Sequence, residues 1–281
     1  MPEAFYEREA PSGGDDRAER GLAAAGREVA ARERFLPSAS TRGPWDPDAQ
    51  HAGPPAALLG RAIERCEPRD GMRVGRITCE ILRPVPLEPL TVEASVVRPG
   101  RSVELLEASL AGPNGELMRA RAWRLQAGEH SLQLDDEERP PGPAGGLPSD
   151  FPETGHEFGY HDANEYSFVR GGFRKPGPAT VWMRTRVPLV EGEEPTPLQR
   201  VLVAADSGNG VSAALDWGTY HFINTELSVH LMRPLEGEWV CLDAVTRVDG
   251  LGLAETALWD ERGRIGRAAQ TLLVRRRMGE D

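Results

Sequence analysis

The chain has 281 residues, of which 39% are hydrophobic, and its formal net charge is -11 at pH 7. A protein this acidic does not present the basic face that binding to nucleic acid requires. No stretch approaches the roughly 18 consecutive apolar residues that span a bilayer. We therefore expect neither nucleic acid nor membrane as a partner. The N-terminus has no basic start and no apolar run, which predicts a cytoplasmic protein.

The cysteines and histidines indicate neither a disulfide framework nor a metal site. Cys66, Cys79 and Cys241 are odd in number, far apart and in apolar contexts, so we expect reduced cysteines in the core. The six histidines form no HxH or HExxH pattern. The sequence accordingly predicts no metal ion.

In chain order, the first two segments have different compositions. Residues 11–34 are rich in Ala, Arg and Glu with few large apolar side chains, so a helix there could bury little and we expect an exposed insertion. The stretch 43–67 contains a predicted amphipathic helix with a Gly-rich entry, Pro54 in its first turn and apolar residues at helical spacing beyond it. Arg61 falls on the opposite, charged face of that helix.

Beyond the helix, the hydrophobic period changes from helical to alternating. Alternation predicts strands, and Pro- and Gly-containing turns separate them. The predicted strands cover residues 76–82, 90–97, 103–110 and 117–125. This part of the chain is therefore predicted to be a helix followed by an antiparallel meander.

A linker divides the chain into two units. Residues 127–160 contain an acidic run and the segment PPGPAGGLP, with no sustained period, which is typical of a linker. We therefore predict a first unit at 1–128, a linker at 129–160, and a second unit at 161–281 that carries the active site.

The same order of elements returns after the linker, at a nearly constant offset. The pair Arg-Pro recurs 150 residues after Arg83, and Arg-Ala recurs 148 residues after Arg119, so one turn is shorter in the second copy. The chain is a tandem repeat of a unit with a central helix and an antiparallel sheet. Two such units can join their sheet edges into one continuous sheet with both helices packed against it.

The stretch TPLQRVLVAADSGNGV carries the first candidate for chemistry. Thr196, Pro197 and Gln199 form a capping-box pattern that starts a helix, and nearly every side chain from Leu198 onward is apolar. Asp206 therefore enters an apolar interior, where an unpartnered carboxylate costs several kcal/mol. Asp206 is either paired or functional, or it simply terminates the helix before the glycines that follow.

Comparison of the two copies selects three positions that are polar in the second copy and apolar in the first. These are Asp206 opposite Ala56, Asn224 opposite Val74, and Gln270 opposite Ala122. Taken singly, Asn224 also fits a turn residue and Gln270 a lone buried amide with its partners satisfied. Because all three changes fall in one copy, we predict that they form a site.

The sequence resembles the acyl-CoA thioesterase II group of double hot-dog proteins, most closely its actinobacterial-type thioesterase-like members. The resemblance rests on RGPWDPDAQHAGPPAALLGRA, EILRPVPLEPLTVEASVVRPGR, PLQRVLVAADSGNGVSA, FINTELSVHLMRPLEGEWVCLDA and GRAAQTLLVRR. It covers most of the chain except 7–32 and the linker. It implies an α+β fold, a tandem (double) hot-dog whose two antiparallel-sheet-plus-central-helix units form one continuous sheet.

The resemblance also implies an activity, the hydrolysis of an acyl-CoA or similar acyl thioester, with coenzyme A present as part of the substrate and no other cofactor. In the family, an Asp on the second helix, a hydroxyl residue early in a following strand and a Gln on the last strand hold the attacking water. The Asp corresponds to Asp206 and the Gln to Gln270. Asn224 occupies the hydroxyl position, with Thr225 beside it, which is a departure from the family pattern.

The oxyanion of a thioester reaction needs donors, and a helix N-terminus supplies backbone N–H groups. The predicted substrate-binding residues are His51, Ala52 and Gly53, brought from the first copy to Asp206 of the second, and Ala52 and Gly53 are the candidate oxyanion donors. Gly53 has an alternative interpretation as a tight entry into the helix.

Two further hypotheses stay open. Asp46 and His51 have the spacing of the Asp/His pair in hot-dog enoyl-CoA hydratases but lack its flanking Asn-Pro, and Asp46 also fits a turn before Pro47. A non-catalytic acyl-CoA- or lipid-binding protein is the second, supported by Asn224 at the hydroxyl position. The sequence also leaves open whether the double unit pairs further into a homodimer or higher oligomer.

Overall fold

The computed structural model describes residues 4–10, 31–129, 138–157 and 159–277. Its helices are α1 (Gly53–Arg65), α2 (Gly159–Asp162), α3 (Pro197–Ala205) and α4 (Gly208–Val211), with 3-10 turns at Ala39–Thr41 and Pro143–Gly145. Its strands are β1 (Tyr6–Arg8), β2 (Ala31–Pro37), β3 (Met72–Ile81), β4 (Leu90–Arg98), β5 (Val103–Gly112), β6 (Gly115–Gln126), β7 (Asn164–Gly172), β8 (Lys175–Thr185), β9 (Tyr220–Asn224), β10 (Glu226–Leu231), β11 (Val240–Asp249), β12 (Leu251–Asp260) and β13 (Gly263–Arg276).

The strands of the described residues form one antiparallel sheet. Its order is β1-β2-β4-β5-β6-β3-β10-β13-β12-β11-β8-β7, with β9 paired to β13. Strands β3 and β10 join the two halves at the centre. The predicted arrangement, in which two sheet-and-helix units share one continuous sheet, is confirmed.

The sequence offset of 150 residues corresponds to a pseudo-twofold axis. At the β3–β10 junction, Thr78 lies opposite Ser228, and their hydroxyl oxygens are 3.1 Å apart. In the helix layer, a Cβ added to Gly53 would lie 2.5 Å from the carbonyl oxygen of Val203. Both pairs join residues that the repeat equates, so the axis passes between their members.

Strand register also agrees with the offset of 148. Ala122 pairs with Leu106 in the first half, and Gln270 pairs with Ala254 in the second. In the same way, Val74 pairs with Arg124 in the first half, and Asn224 pairs with Leu272 in the second. The equivalences drawn from the sequence therefore hold in space.

The two central helices lie on the same side of the sheet and contact each other. Small residues allow the close approach, since a Cβ at Gly60 would lie 2.4 Å from Leu202 Cδ1. Between helices and sheet lies one continuous apolar core that includes residues of both halves, among them Leu59, Ile77, Leu202 and Val229.

Three expectations need correction or refinement. Residues 31–34 belong to β2, so the predicted insertion at 11–34 overlaps a strand, and the rest of it lies outside the described residues. Arg61 is not on an exposed face. It is buried at 1% exposure and hydrogen-bonded to Glu33 and Glu193. Helix α3 ends at Ala205, so Asp206 stands just after the helix rather than within it.

The described part of the chain contains no helix that is long and apolar enough to cross a membrane. In that part, no group of three or more His, Cys, Asp or Glu side chains is placed to hold a metal ion. Cys66, Cys79 and Cys241 are all buried and free, as their contexts predict.

Candidate active site

Asp206 is a buried residue at the C-terminal end of α3. The capping box of Thr196 and Gln199 fixes the start of this helix, and its apolar side chains bury it. Only 3% of the Asp206 side chain is exposed. The C-terminal end of a helix disfavours negative charge, so this carboxylate depends on hydrogen-bond donors from elsewhere.

Two side-chain amides supply those donors. Asn224 Nδ2 donates to Asp206 Oδ1 over 2.8 Å, and Gln270 Nε2 donates to the same oxygen over 3.2 Å. Gln270 Nε2 also lies 3.0 Å from the Asp206 carbonyl oxygen, and Gln270 Oε1 accepts from the backbone N–H of Asn209 over 3.0 Å. The three positions that are polar only in the second copy therefore meet in one cluster.

The first half contributes an imidazole to the same cluster. His51 Nδ1 lies 3.0 Å from Asp206 Oδ2, and 13% of the His51 side chain is exposed. The preceding loop is fixed by backbone bonds from His51 to Thr41 and from Gln50 to Val85. The buried Gln50 side chain accepts from the hydroxyl of Tyr6 and donates to the Pro86 carbonyl, which anchors the loop further.

The N-terminus of α1 lies beside His51. Pro54 and Pro55 occupy its next positions and carry no N–H, so the donors that remain at this end are the amides of Ala52 and Gly53. Gly53 N lies 3.2 Å from His51 Nδ1, whereas Ala52 N donates to no described residue. The close approach of Val203 also requires glycine at position 53, so its two interpretations, tight packing and oxyanion donor, are compatible.

Tyr160 also belongs to this cluster, and sequence analysis missed it. Its ring stacks on the His51 imidazole, with centroids 3.7 Å apart and planes 5° apart. The hydroxyl donates to the Val203 carbonyl over 2.6 Å and lies 2.9 Å from Ser207 Oγ. Burial raises the pKa of the Tyr160 phenol. Tyr160 lies at the end of the predicted linker, where no periodicity marks it as buried.

Cys79 lies in the electrostatic field of this cluster but cannot act as its nucleophile. Burial raises the pKa of the thiol, and the charge of Asp206 raises it further. Since the thiolate is the nucleophilic form, a protonated buried thiol is inert.

Two residues proposed from the sequence lie apart from the cluster. Thr225 is exposed, and its hydroxyl lies 3.4 Å from the Thr271 carbonyl, at the break between β9 and β10. Asp46 is exposed and accepts from the Asp48 amide, so it forms a turn. The hydratase hypothesis requires His51 to pair with Asp46. In the structure, His51 instead pairs with Asp206.

A cavity of about 640 Å³ lies elsewhere, between residues 143–149 and strand β7. It is lined by the charged groups of Asp162, Glu165 and Arg186, but Glu165 is already paired with Arg184. None of the residues of the Asp206 cluster lines it. We therefore base the chemistry on the buried cluster.

The comparisons with known proteins agree with this architecture. Residues 41–125 match the model of the acyl-CoA thioesterase N-terminal domain, and residues 135–274 match that of the acyl-CoA thioesterase C-terminal domain. No curated protein sequence matches the chain.

Solved structures share the fold at low sequence identity. A candidate thioesterase II from Thermobifida fusca YX is 18% identical, covers 92% of this chain and 100% of its own, and has a TM-score of 0.69. A hot-dog protein from Alicyclobacillus acidocaldarius is 16% identical, covers 93% and 97%, and also has a TM-score of 0.69.

The acyl-CoA thioesterase II TesB2 from Mycobacterium marinum is 16% identical, with coverage of 89% and 94% and a TM-score of 0.64. At these identities the structural matches show the fold, and the two domain models show the family. The chain belongs to the acyl-CoA thioesterase family and is a thioesterase with a double hot-dog fold.

Proposed function

We propose that this thioesterase hydrolyses an acyl-CoA, or a similar acyl thioester, at the cluster centred on Asp206. The observation that carries the proposal is the meeting of Asp206, Asn224 and Gln270 in one hydrogen-bonded cluster. A role in lipid metabolism in the cytoplasm is part of the same proposal. The products are a free acid and a thiol.

The two amides hold the carboxylate rather than the water. Gln270 donates to Asp206 through Nε2 and accepts from the Asn209 backbone N–H through Oε1. Both ends of the Gln270 side-chain amide are therefore engaged. Asn224 Nδ2 donates to Asp206 Oδ1 and to the Glu226 carbonyl. The water therefore belongs on the other side of the carboxylate, beside His51, whose Nδ1 faces Oδ2.

The thioester carbonyl fits between this water and the start of α1. The amides of Ala52 and Gly53 stand at the positive end of the helix dipole, which favours an oxyanion. Removal of one such donor typically costs about 10²-fold to 10³-fold in kcat.

Asn224 at the family's hydroxyl position supports turnover more than binding alone. Its amide donates to Asp206 over 2.8 Å, so a donor is kept where the family has a hydroxyl. Asn224 therefore gives little support to a non-catalytic protein.

The test is thiol release from a panel of short to long acyl-CoAs, with wild type and Asp206→Asn in parallel. We expect turnover by wild type and a loss of about 10²-fold to 10⁴-fold in kcat for the variant, with melting temperature preserved. Asp46→Asn is the matched control and should keep the wild-type rate.

Other outcomes separate the alternatives. Equal rates in wild type and Asp206→Asn would remove Asp206 from the mechanism. Hydration of an enoyl-CoA that is lost in Asp46→Asn would favour the hydratase. A ligand-induced melting shift without any turnover would favour a binding protein.

A further inference from the structure

The position of one proton in the cluster follows from two distances. His51 Nδ1 lies 3.0 Å from Asp206 Oδ2, and the backbone N–H of Gly53 is directed at the same nitrogen over 3.2 Å. An imidazole nitrogen either carries a hydrogen or accepts one. If Nδ1 accepted from Gly53, its lone pair would face a carboxylate oxygen at 3.0 Å without a proton between them, which is repulsive. A hydrogen on Nδ1 makes the same contact a charge-assisted hydrogen bond.

This tautomer has two consequences. The Gly53 N–H, which points at Nδ1, loses His51 as an acceptor, and the Ala52 N–H, which donates to no described residue, is the free donor at the start of α1. In the neutral ring, Nε2 is then unprotonated and can accept a proton. His51 Nε2 makes no hydrogen bond to any residue that the structure describes.

Accessibility also distinguishes the carboxylate from the imidazole. Asp206 Oδ1 accepts from two amides, Oδ2 faces the imidazole, and only 3% of the side chain is exposed. His51 is the more exposed of the two, at 13%, and it retains an unused acceptor. A water that reaches the cluster therefore meets His51 before it meets a free carboxylate lone pair.

The ring of His51 is held in a fixed plane, as a base needs to be. Tyr160 stacks on it at 3.7 Å, and Tyr160 is itself anchored to Val203 and Ser207. Neither the Tyr160 phenol nor the Cys79 thiol competes for the role, because burial raises the pKa of both and keeps them protonated.

We propose that His51 Nε2 is the general base of the thioester hydrolysis and that Asp206 orients and stabilises the imidazole. This inference rests on the proposed function. Nε2 takes a proton from water as the water oxygen bonds to the thioester carbon, and the resulting oxyanion accepts from the Ala52 N–H, which has no acceptor among the described residues. The carbon–sulfur bond then breaks, and the proton on Nε2 passes to the departing thiolate. The products are the acid and the thiol, and His51 returns to its neutral form.

Two substitutions separate a base from a structural partner. In His51→Asn, the side-chain amide nitrogen takes the place of Nδ1 and still donates to Asp206, but nothing replaces Nε2. In His51→Gln, the amide nitrogen reaches the Nε2 position and cannot accept a proton. We expect both to lose about 10²-fold to 10⁴-fold in kcat for thiol release, with KM changed only a few-fold and melting temperature preserved.

The pattern of losses distinguishes this inference from the proposed function. Full activity of His51→Asn beside an inactive Asp206→Asn would overturn the role of His51 as base and leave the thioesterase site in place. Absence of turnover by wild type on every acyl-CoA would overturn both.

A second measurement does not depend on turnover. Nitrogen-15 NMR of the histidines, assigned with His51→Asn, reports which ring nitrogen of the neutral imidazole carries hydrogen. We expect His51 to be protonated on Nδ1 in wild type, and to lose this preference in Asp206→Asn. A neutral His51 protonated on Nε2 in wild type would overturn the inference.

Discussion

The two halves of the molecule share strand register but differ where their helices meet at the pseudo-twofold axis. The second half places Asp206, Asn224 and Gln270 in one hydrogen-bonded cluster. At the equivalent positions, the first half has Ala56 and Ala122, both fully buried, and Val74. One of two geometrically equivalent sites is therefore apolar.

The first half nevertheless supplies the second component of the candidate site. His51 and Gly53 reach across the axis from the start of α1 to the end of α3. The position related to His51 by the repeat is Val201, which is buried in the core. The two halves therefore contribute different groups to the candidate site: the second half supplies the carboxylate and its amides, and the first supplies the imidazole and the helix N-terminus.

The largest effect is expected from placing a carboxylate in the apolar copy. Ala56→Asp would bury a charge with only apolar side chains at the positions of the two amides. We expect a loss of about 3–5 kcal/mol in the free energy of unfolding, measured by urea denaturation. Ala127→Asp, at an exposed position, should change stability by less than about 0.5 kcal/mol. Equal stability of both variants would show that the first copy also holds donors for a carboxylate.

The next effect tests the ion cluster that ties the halves together. Arg61→Met leaves Glu33 and Glu193 without their buried partner, and both carboxylates are about one-fifth exposed. We expect a loss of about 2–3 kcal/mol at neutral pH, below the usual range for a buried pair because water reaches both groups. Arg65→Ala, which removes an exposed partner of Glu193, is the control and should cost less than about 1 kcal/mol.

The same variant has a defined pH dependence. Hydrogen bonds from Arg61 lower the pKa of Glu193, and at Glu33 burial acts to raise the pKa but Arg61 outweighs it. A lowered pKa in the folded state gives stability above the ordinary range of glutamate, about 4.3, that is lost as the pH falls through the lowered values. The difference between wild type and Arg61→Met should therefore shrink in acid, and a constant difference would contradict this explanation.

A smaller loss is expected at the helix contact on the axis. In Gly53→Ala the new methyl would lie 2.5 Å from the Val203 carbonyl oxygen, which is backbone of the other half, so one helix must shift. We expect about 1–2 kcal/mol of destabilisation and a reduced kcat, measured by thermal unfolding and thiol release. In Gly145→Ala the nearest atom is 3.8 Å away, and stability should be nearly unchanged. Wild-type behaviour of Gly53→Ala would show that the helices are less tightly apposed.

The smallest effect sharpens the comparison with the family pattern. Asn224→Thr replaces one donor to Asp206 Oδ1 by a hydroxyl, as the family has it, and kcat should stay within about threefold of wild type. Asn224→Val removes the donor and should lower kcat by about tenfold or more, the value of a hydrogen bond to a charged group. Equal rates for the two variants would mean that no donor is needed at this position.

Local pattern was enough to predict most of the fold. Alternation marked the strands of the meander, and the capping residues marked the start of α3 at Thr196. The offsets of 150 and 148 residues predicted which positions of the two halves are equivalent, and register in the sheet confirms them. Strand β2 was missed because its first residues have the polar composition of an exposed segment.

The sequence by itself also determined that Asp206, Asn224 and Gln270 are polar where the first copy has apolar residues. This was possible because the chain is duplicated, so that each copy can be compared with the other. Only the tertiary structure decided that His51 faces Asp206, that Tyr160 stacks on His51, and that Arg61 is buried between two glutamates. Periodicity records which face of an element is apolar. Periodicity carries no information about which residues of two distant elements meet. In this protein, those contacts depend on how closely α1 and α3 approach each other across the pseudo-twofold axis.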